Sequence, residues 1–440
     1  MITFIGIVIG MFAISVMQLV LATAMPYIVT EIGGEQLYSW VFSSYMLASL
    51  LTIPIFSKLA DLYGKKKFYL LGMGIFALGT LFGGLASTME YLILARVVQG
   101  LGAGMMIPTS IALISDQFSA EKRGGMIGIF SMVQLLAILL SPLLGSFITK
   151  QFGWNWIFIL TLGAILVAIL FVALGKQASQ TNLKVHWSEI DIVGGLVFGI
   201  FCVLTVSFSD AVSHQGKLEL SGILLLLGAV ISAIVLVWNE SHHNDPVIKV
   251  SFFRNKILRR SIISSLIAGG IMYGLVTLLP LCSVILEQQG FTINESQVLL
   301  VFMLGITFGL MITSRLVTKL PSFFPRILWG LSVIGAGLMY YAISIGNFVM
   351  FNVVTGFLGL VLGGIMATLL INSQNAVNSE DRTVLSGLVQ LGRYLGAAIG
   401  VTILTGMLPE ISQISGAAQF LGAFGLLVVM YILGLVNELL

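Results

Sequence analysis

Fourteen apolar stretches run through this chain, each long enough to cross a hydrocarbon core as a helix, and its cations are distributed unevenly between the connections that join them. The stretches lie at about 4–29, 39–57, 68–87, 91–115, 124–149, 155–174, 190–209, 219–238, 260–286, 296–316, 325–345, 348–373, 384–406 and 418–437. With the N-terminus on the cytoplasmic side, seventeen of the 21 Lys and Arg fall inward: Lys58, Lys65, Lys66, Lys67, Lys122, Arg123, Lys176, Lys184, Lys249, Arg254, Lys256, Arg259, Arg260, Arg315, Lys319, Arg326 and Arg382. Lys150 and Lys217 fall outward, and Arg96 and Arg393 lie within stretches. Such a bias orients a polytopic membrane protein, and here it predicts that both termini are cytoplasmic.

Lipid offers no partner to free backbone groups, so a spanning chain is either helical or a closed barrel, and the alternation a barrel needs is absent. With 58% hydrophobic and 9% charged residues, the chain has too little polar surface to cover a globule in water. An all-α integral membrane protein is expected. Met1–Thr3 carry no basic segment and no small-residue cleavage site follows, so the first stretch reads as a span and not as a removable signal. The net charge of +3 is accounted for by the inward cations and gives no reason to expect nucleic acid as a partner. Cys202 and Cys282 fall inside stretches, where a thiol behaves as a small hydrophobe, and no disulfide is expected.

Two connections, near 175–189 and 239–259, are longer and more polar than the others. They bracket a helix pair between two groups of six, as two homologous bundles with an inserted hairpin would. The expected organisation is an N-terminal six-helix bundle over 1–176, an inserted hairpin with its flanking loops over 177–258, and a C-terminal six-helix bundle over 259–440. Glycine pairs such as Gly359/Gly363 and Gly396/Gly400 suit close helix approach. No soluble segment is large enough for separate chemistry. A phosphate loop, paired catalytic carboxylates and a nucleophile elbow are all missing, so an enzyme is not expected.

Four local patterns stand out. The connection after the second stretch reads S-K-L-A-D-L-Y-G-K-K-K over 57–67, with Asp61 at a helix end and Gly64 at a tight turn; Asp116 and Arg123 are candidate partners. The fourth stretch reads L-I-L-A-R-V-V-Q-G-L-G-A-G over 92–104. An arginine inside a span costs roughly 2.5–3.5 kcal/mol on insertion scales, so Arg96 either faces a partner or wet cavity beside Gln99, or snorkels to the outer interface. The fifth reads A-I-L-L-S-P-L-L-G-S over 137–146, where Pro142 removes a helix hydrogen bond and Ala137, Ser141, Gly145 and Ser146 keep one face smooth. The thirteenth reads L-S-G-L-V-Q-L-G-R-Y-L-G-A-A-I-G over 385–400, with Arg393 well inside it.

The first three patterns resemble the G-x-L-a-D-r-x-G-r-k, l-x-x-x-R-x-x-q-G-x-g-a-a and g-x-x-x-G-P-x-x-G-G motifs of the major facilitator superfamily. The fourth, with W-N-W-I-F at 154–158, D-I-V-G-G at 191–195 and P-V-I-K-V-S-F-F-R-N-K at 246–256, is similar to its fourteen-span drug:proton antiporter branch. The resemblance implies a major facilitator fold of two six-helix bundles plus an inserted two-helix hairpin. It implies a multidrug efflux transporter of the cell membrane that exports hydrophobic or amphiphilic, cationic compounds as a monomer, through alternating access. The proton would be the coupling ion, and no cofactor or metal is implied. His242 and His243 lack a third ligand at metal spacing.

On this resemblance Gln18, Arg96, Gln99, Gly100, Gln134, Pro142, Gly145 and Arg393 are expected along the substrate pathway. Asp61, Gly64, Lys65, Asp116 and Arg123 would form a cytoplasmic gate. One departure bears on coupling: V-M-Q-L-V-L-A-T-A-M-P over 16–26 stands where the branch carries L-D-x-T-I-V-x-x-A-L-P, so Met17 occupies the position of a membrane-embedded Asp. Glu287, near the outer end of the ninth stretch, is then the remaining proton-coupling candidate, and it reads equally as a loop acid. Two other functions stay open: export of one metabolite, peptide or lipid precursor with weak or no proton coupling, and a transport-inactive membrane sensor.

Overall fold

Backbone groups in hydrocarbon must be satisfied within their own segment, and the computed structural model meets that demand with fourteen long helices. They are α1 (Ile2–Ile32), α2 (Tyr38–Tyr63), α3 (Lys65–Gly84), α4 (Met89–Gln117), α5 (Ala120–Phe152), α6 (Asn155–Leu174) and α7 (Ile192–Gln215). The series continues with α8 (Leu220–His242), α9 (Lys256–Gln288), α10 (Glu295–Leu316), α11 (Phe324–Ser344), α12 (Phe348–Asn375), α13 (Arg382–Gly406) and α14 (Leu421–Leu439). The structure describes residues 1–175, 191–215, 219–242, 250–288, 295–316, 323–377, 382–408 and 417–440, and among them there is no strand.

Thirteen of these helices contain a described window apolar and long enough to cross a membrane. The other is α2, whose Ser39, Ser43, Ser44, Ser49 and Thr52 are all buried. Ser49 and Thr52 donate back to Tyr45 O at 2.8 Å and Ala48 O at 2.5 Å, so these hydroxyls enter a protein interior already paired. Several helices overrun the apolar stretches that announce them. Thus α5 begins at Ala120 and ends at Phe152, because a helix continues into the interface where hydropathy has already fallen.

The chain divides into two compact units, residues 1–204 with 227–247 and residues 205–226 with 248–440. Helices α1–α6 belong to the first and α9–α14 to the second; α7 and α8 each contribute to both. Inside the first unit α1 packs on α5 and α6, α4 on α2 and α3, and α3 on α6. Inside the second, α9 packs on α13 and α14, α12 on α10 and α11, and α11 on α14. The second pattern is the first with every helix advanced by eight.

Small residues make the tightest of these contacts. On the α9–α13 seam a methyl group on Gly400 would overlap the Gly270 backbone, and one on Gly396 would overlap the Leu266 carbonyl. Gly359 and Gly363 meet the carbonyls of Phe302 and Ile306 across α10–α12 in the same way. Backbones this close gain dispersion contacts along their length, which drives helix association where lipid is as apolar as leucine.

Candidate functional site

Arg96 is 1% exposed and sits in a network that joins three helices of the first unit. Its Nε donates to Val41 O on α2 at 3.1 Å, and its Nη1 donates to Gln99 Oε1 at 2.8 Å, the i, i+3 neighbour on α4. Gln99 Nε2 then donates to Thr80 Oγ1 on α3 at 2.9 Å, and the Thr80 hydroxyl donates to Phe76 O at 2.7 Å. The guanidinium lies 4.0 Å from the centroid of the Tyr45 ring, where a cation meets the negative face of the aromatic. The arginine therefore does not snorkel. Gly100 makes the arrangement possible, since a methyl group there would stand 2.5 Å from Tyr45 O; the Ser49 hydroxyl that donates to Tyr45 O also lies 3.1 Å from Gly100 O.

The face of α5 around Pro142 lies on α1. The Ser141 hydroxyl donates to Ala137 O at 2.5 Å and reaches Val16 O at 3.4 Å, and Gly145 leaves room for Val20 and Thr23. Pro142 is buried on this seam, where its missing N–H leaves a gap in the ladder of α5. Met17 is fully buried on the same helix α1, with its sulfur 3.8 Å from the Thr161 hydroxyl of α6. Gln18 and Gln134 are half-buried.

Lys65 Nζ forms a 2.8 Å ion pair with Asp116 Oδ2, linking the start of α3 to the end of α4. Lys66 Nζ donates to Ala173 O at 3.1 Å and Gly175 O at 2.6 Å, satisfying carbonyls at the end of α6 that the helix itself leaves open. Gly64 turns the chain between α2 and α3 with φ at 103°, a value that side chains rarely adopt. The side chains of Asp61, Arg123 and Glu287 lie outside the described ones, so of the five residues expected at the gate Gly64, Lys65 and Asp116 are described.

Sequence reasoning missed a tie at the start of α6. Trp154 is buried, its Nε1 donates to Glu31 Oε2 at 3.0 Å, and Asn155 Nδ2 donates to Gly84 O at 3.0 Å. Glu31 thus anchors the tryptophan that opens α6. Asn155 supplies a donor to the end of α3.

In the second unit Arg393 lines a cavity of about 170 Å³ among α9, α10, α12 and α13. Its Nη2 donates to Gln390 Oε1 at 2.5 Å, while its Nε is buried and has no hydrogen-bond partner among the described residues. Ser265 and Ser314 are the other polar side chains on the wall beside this pair.

The sequence model described as Major Facilitator Superfamily matches residues 4–401. The chain belongs to that superfamily. Within it, the chain is 28% identical over 405 residues to the multidrug transporter protein MdtP of Bacillus subtilis, covering 91% of this chain and 73% of MdtP. It is 28% identical over 417 residues to the multidrug resistance protein Stp of Mycobacterium tuberculosis, covering 93% and 76%. It is 30% identical over 317 residues to multidrug resistance protein 3 of Bacillus subtilis, covering 71% of this chain and 61% of that one, so it spans less than two thirds of the length of this last relative. A crystal structure of the peptide transporter POT with sulfate matches at a TM-score of 0.70 and 15% identity, over 99% of this chain and 93% of that one. The D-xylose–proton symporter matches at 0.68 and 11%, over 99% and 96%. These two establish the fold. This major facilitator protein is a multi-pass membrane transporter and not an enzyme.

Proposed function

We propose that the chain exports hydrophobic or amphiphilic small molecules across the cell membrane by proton antiport, with alternating access of its two six-helix groups and both termini in the cytoplasm. The observation that carries this reading is the similarity to MdtP and Stp over nine tenths of the chain, both named for multidrug transport or resistance. The smooth α1–α5 seam around Pro142 and Gly145 supports it, because small residues let one helix shift along another without unpacking side chains. The chain works as a monomer in this reading, with the proton as its coupling ion and Lys65–Asp116 as part of the cytoplasmic gate.

A second reading, export of one compound with weak or no proton coupling, is favoured by Met17. A thioether packed against Thr161 cannot carry a proton, so coupling would have to run through another acid, with Glu287 the candidate in the second group.

Everted membrane vesicles from cells expressing the full chain separate the two. Acid-driven uptake of ethidium, Nile red or carboxyfluorescein that collapses on adding a protonophore is the expected result. Uptake that ignores the protonophore would replace antiport by the uncoupled reading. No uptake of any of the three above that of vesicles lacking the protein would overturn the multidrug reading and leave export of one other compound.

A further inference from the structure

Of every Asp, Glu, Lys and Arg in the chain, Arg393 lies farthest from both ends of its helix. It stands about 16 Å along the axis from Arg382, at about 1.5 Å per residue, which places it at mid-membrane. A cation at that depth is retained where it meets a countercharge, a wet cavity or a ligand. Arg96, the other arginine set inside a span, is sealed in its network with Val41, Gln99 and Tyr45. Arg393 is not: Gln390 offers it one neutral acceptor, the Tyr394 ring is 6.0 Å away, and the cavity wall carries no Asp or Glu among the described residues.

From this we infer that the cavity before Arg393 binds the acidic headgroup of the transported molecule, a carboxylate or phosphate borne on an aryl or short aliphatic body. The inference rests on the export reading for calling that molecule cargo. It departs from the cationic cargo that the family resemblance implies. A guanidinium has five N–H donors arranged to meet two oxygens side by side, and Gln390 takes one of them. Ser265 and Ser314 line the wall on the facing helices, their hydroxyls donating to Ile262 O at 2.7 Å and Met311 O at 3.1 Å, while Ala268, Leu310, Met366 and Leu370 supply its apolar remainder. The volume of about 170 Å³ suits one ring, since an engineered apolar cavity of about 150 Å³ takes up benzene.

The arginine is also held in place before any ligand arrives. A methyl group on Gly269 would overlap the Arg393 carbonyl, and one on Gly392 would stand 2.6 Å from Ser265 Oγ, so α9 and α13 lock backbone to backbone at the site. A binding group on a rigid element loses less entropy when it binds. A cationic headgroup placed in this cavity would meet an uncompensated positive charge at low dielectric, which is strongly repulsive.

The test is binding, measured apart from flux. Purified full-length protein in phosphatidylcholine nanodiscs is titrated by calorimetry with three probes that share one phenyl ring: phenylacetate, its methyl ester and the benzyltrimethylammonium ion. The carboxylate is expected to bind at least tenfold more tightly than the ammonium. Arg393→Gln removes that preference while ester binding, which reports an intact cavity, is unchanged. Gln390→Glu guards against a misfolded Arg393 variant: it keeps the shape, gives the guanidinium an internal countercharge, and is expected to abolish the carboxylate preference by itself. Equal or tighter binding of the ammonium, or a preference that survives either substitution, overturns the inference. Displacement of the carboxylate probe by phosphatidylglycerol built into the disc would assign the same chemistry to a membrane lipid and overturn the cargo assignment. Failure of uptake in vesicles with the binding preference intact would instead count against multidrug export alone.

Discussion

The sulfur of Met17 lies 3.8 Å from the Thr161 hydroxyl, which donates to Ile157 O at 2.7 Å, in the buried interior where α1 meets α6. This contact has no room for a solvated carboxylate. Met17→Asp is expected to lower stability by about 2.5–3.5 kcal/mol, the insertion cost of an acid near a helix centre, whereas the near-isosteric Met17→Leu costs less than about 1.5 kcal/mol. Thermal unfolding of the detergent-purified variants, followed by thiol-reactive dye at the buried Cys202 and Cys282, measures the difference.

Arg96 and Gln99 act as one unit in the structure, so their substitutions are expected to be non-additive. Either Arg96→Ala or Gln99→Ala strands buried acceptors or donors at about 1–3 kcal/mol each, and the pair together costs less than the sum. Arg96→Lys is no rescue, because a single ammonium on a flexible stem cannot serve Val41 O and Gln99 Oε1 in that fork geometry while lying flat on Tyr45. A double-mutant cycle on thermal midpoints that came out additive would break this account.

The Lys65–Asp116 pair is partly solvated at both ends, 22% and 35% exposed, so its worth to stability is about 0–1 kcal/mol and shrinks with salt. Its expected signature is kinetic. Lys65→Asp and Asp116→Lys each slow uptake in vesicles with little change in melting, and the charge-swapped double variant recovers part of the rate. Single variants that transport at the full rate would remove the pair from the gate.

Gly396 and Gly387 lie on the same helix and should respond in opposite ways to the same change. Gly396→Ala drives a methyl group into the Leu266 carbonyl and opens the α9–α13 seam, so folded yield is expected to fall. Gly387 has open space where its methyl group would go, and Gly387→Ala is expected to stabilise by about 0.5–1 kcal/mol through helix propensity. Fluorescence-detected size exclusion of both variants reads the contrast directly.

What could be read without coordinates was what short-range chemistry controls. The fourteen stretches follow from backbone satisfaction in lipid, and the Arg96–Gln99 contact follows from an i, i+3 spacing on one helix. The close approach at Gly359, Gly363, Gly396 and Gly400 follows from the missing side chain. Partners far along the chain were not legible. Tyr45 and Thr80 are ordinary residues until α2 and α3 bring them to Arg96, and Glu31 looks like a loop acid until Trp154 finds it 123 residues later. Helix ends were underestimated for a related reason: hydropathy reports the hydrocarbon, whereas hydrogen bonding carries α5 on through Ala120 and Phe152 at its two ends. The wall that gathers before Arg393 draws on four helices, and no local pattern announces it.

The repeated pairing of helices supplies a translation rule between the two ends of the polypeptide. A position in α3 that steadies the terminus of α6, as Lys66 does, has its counterpart at the start of α11 beside the terminus of α14, where Arg326 and Glu438 border one cavity of about 400 Å³. Each half keeps the same joint with different groups beside it, a cation on bare carbonyls in one and an arginine and a glutamate on the wall of one cavity in the other. The order of helix pairing repeats where the residues that serve it do not.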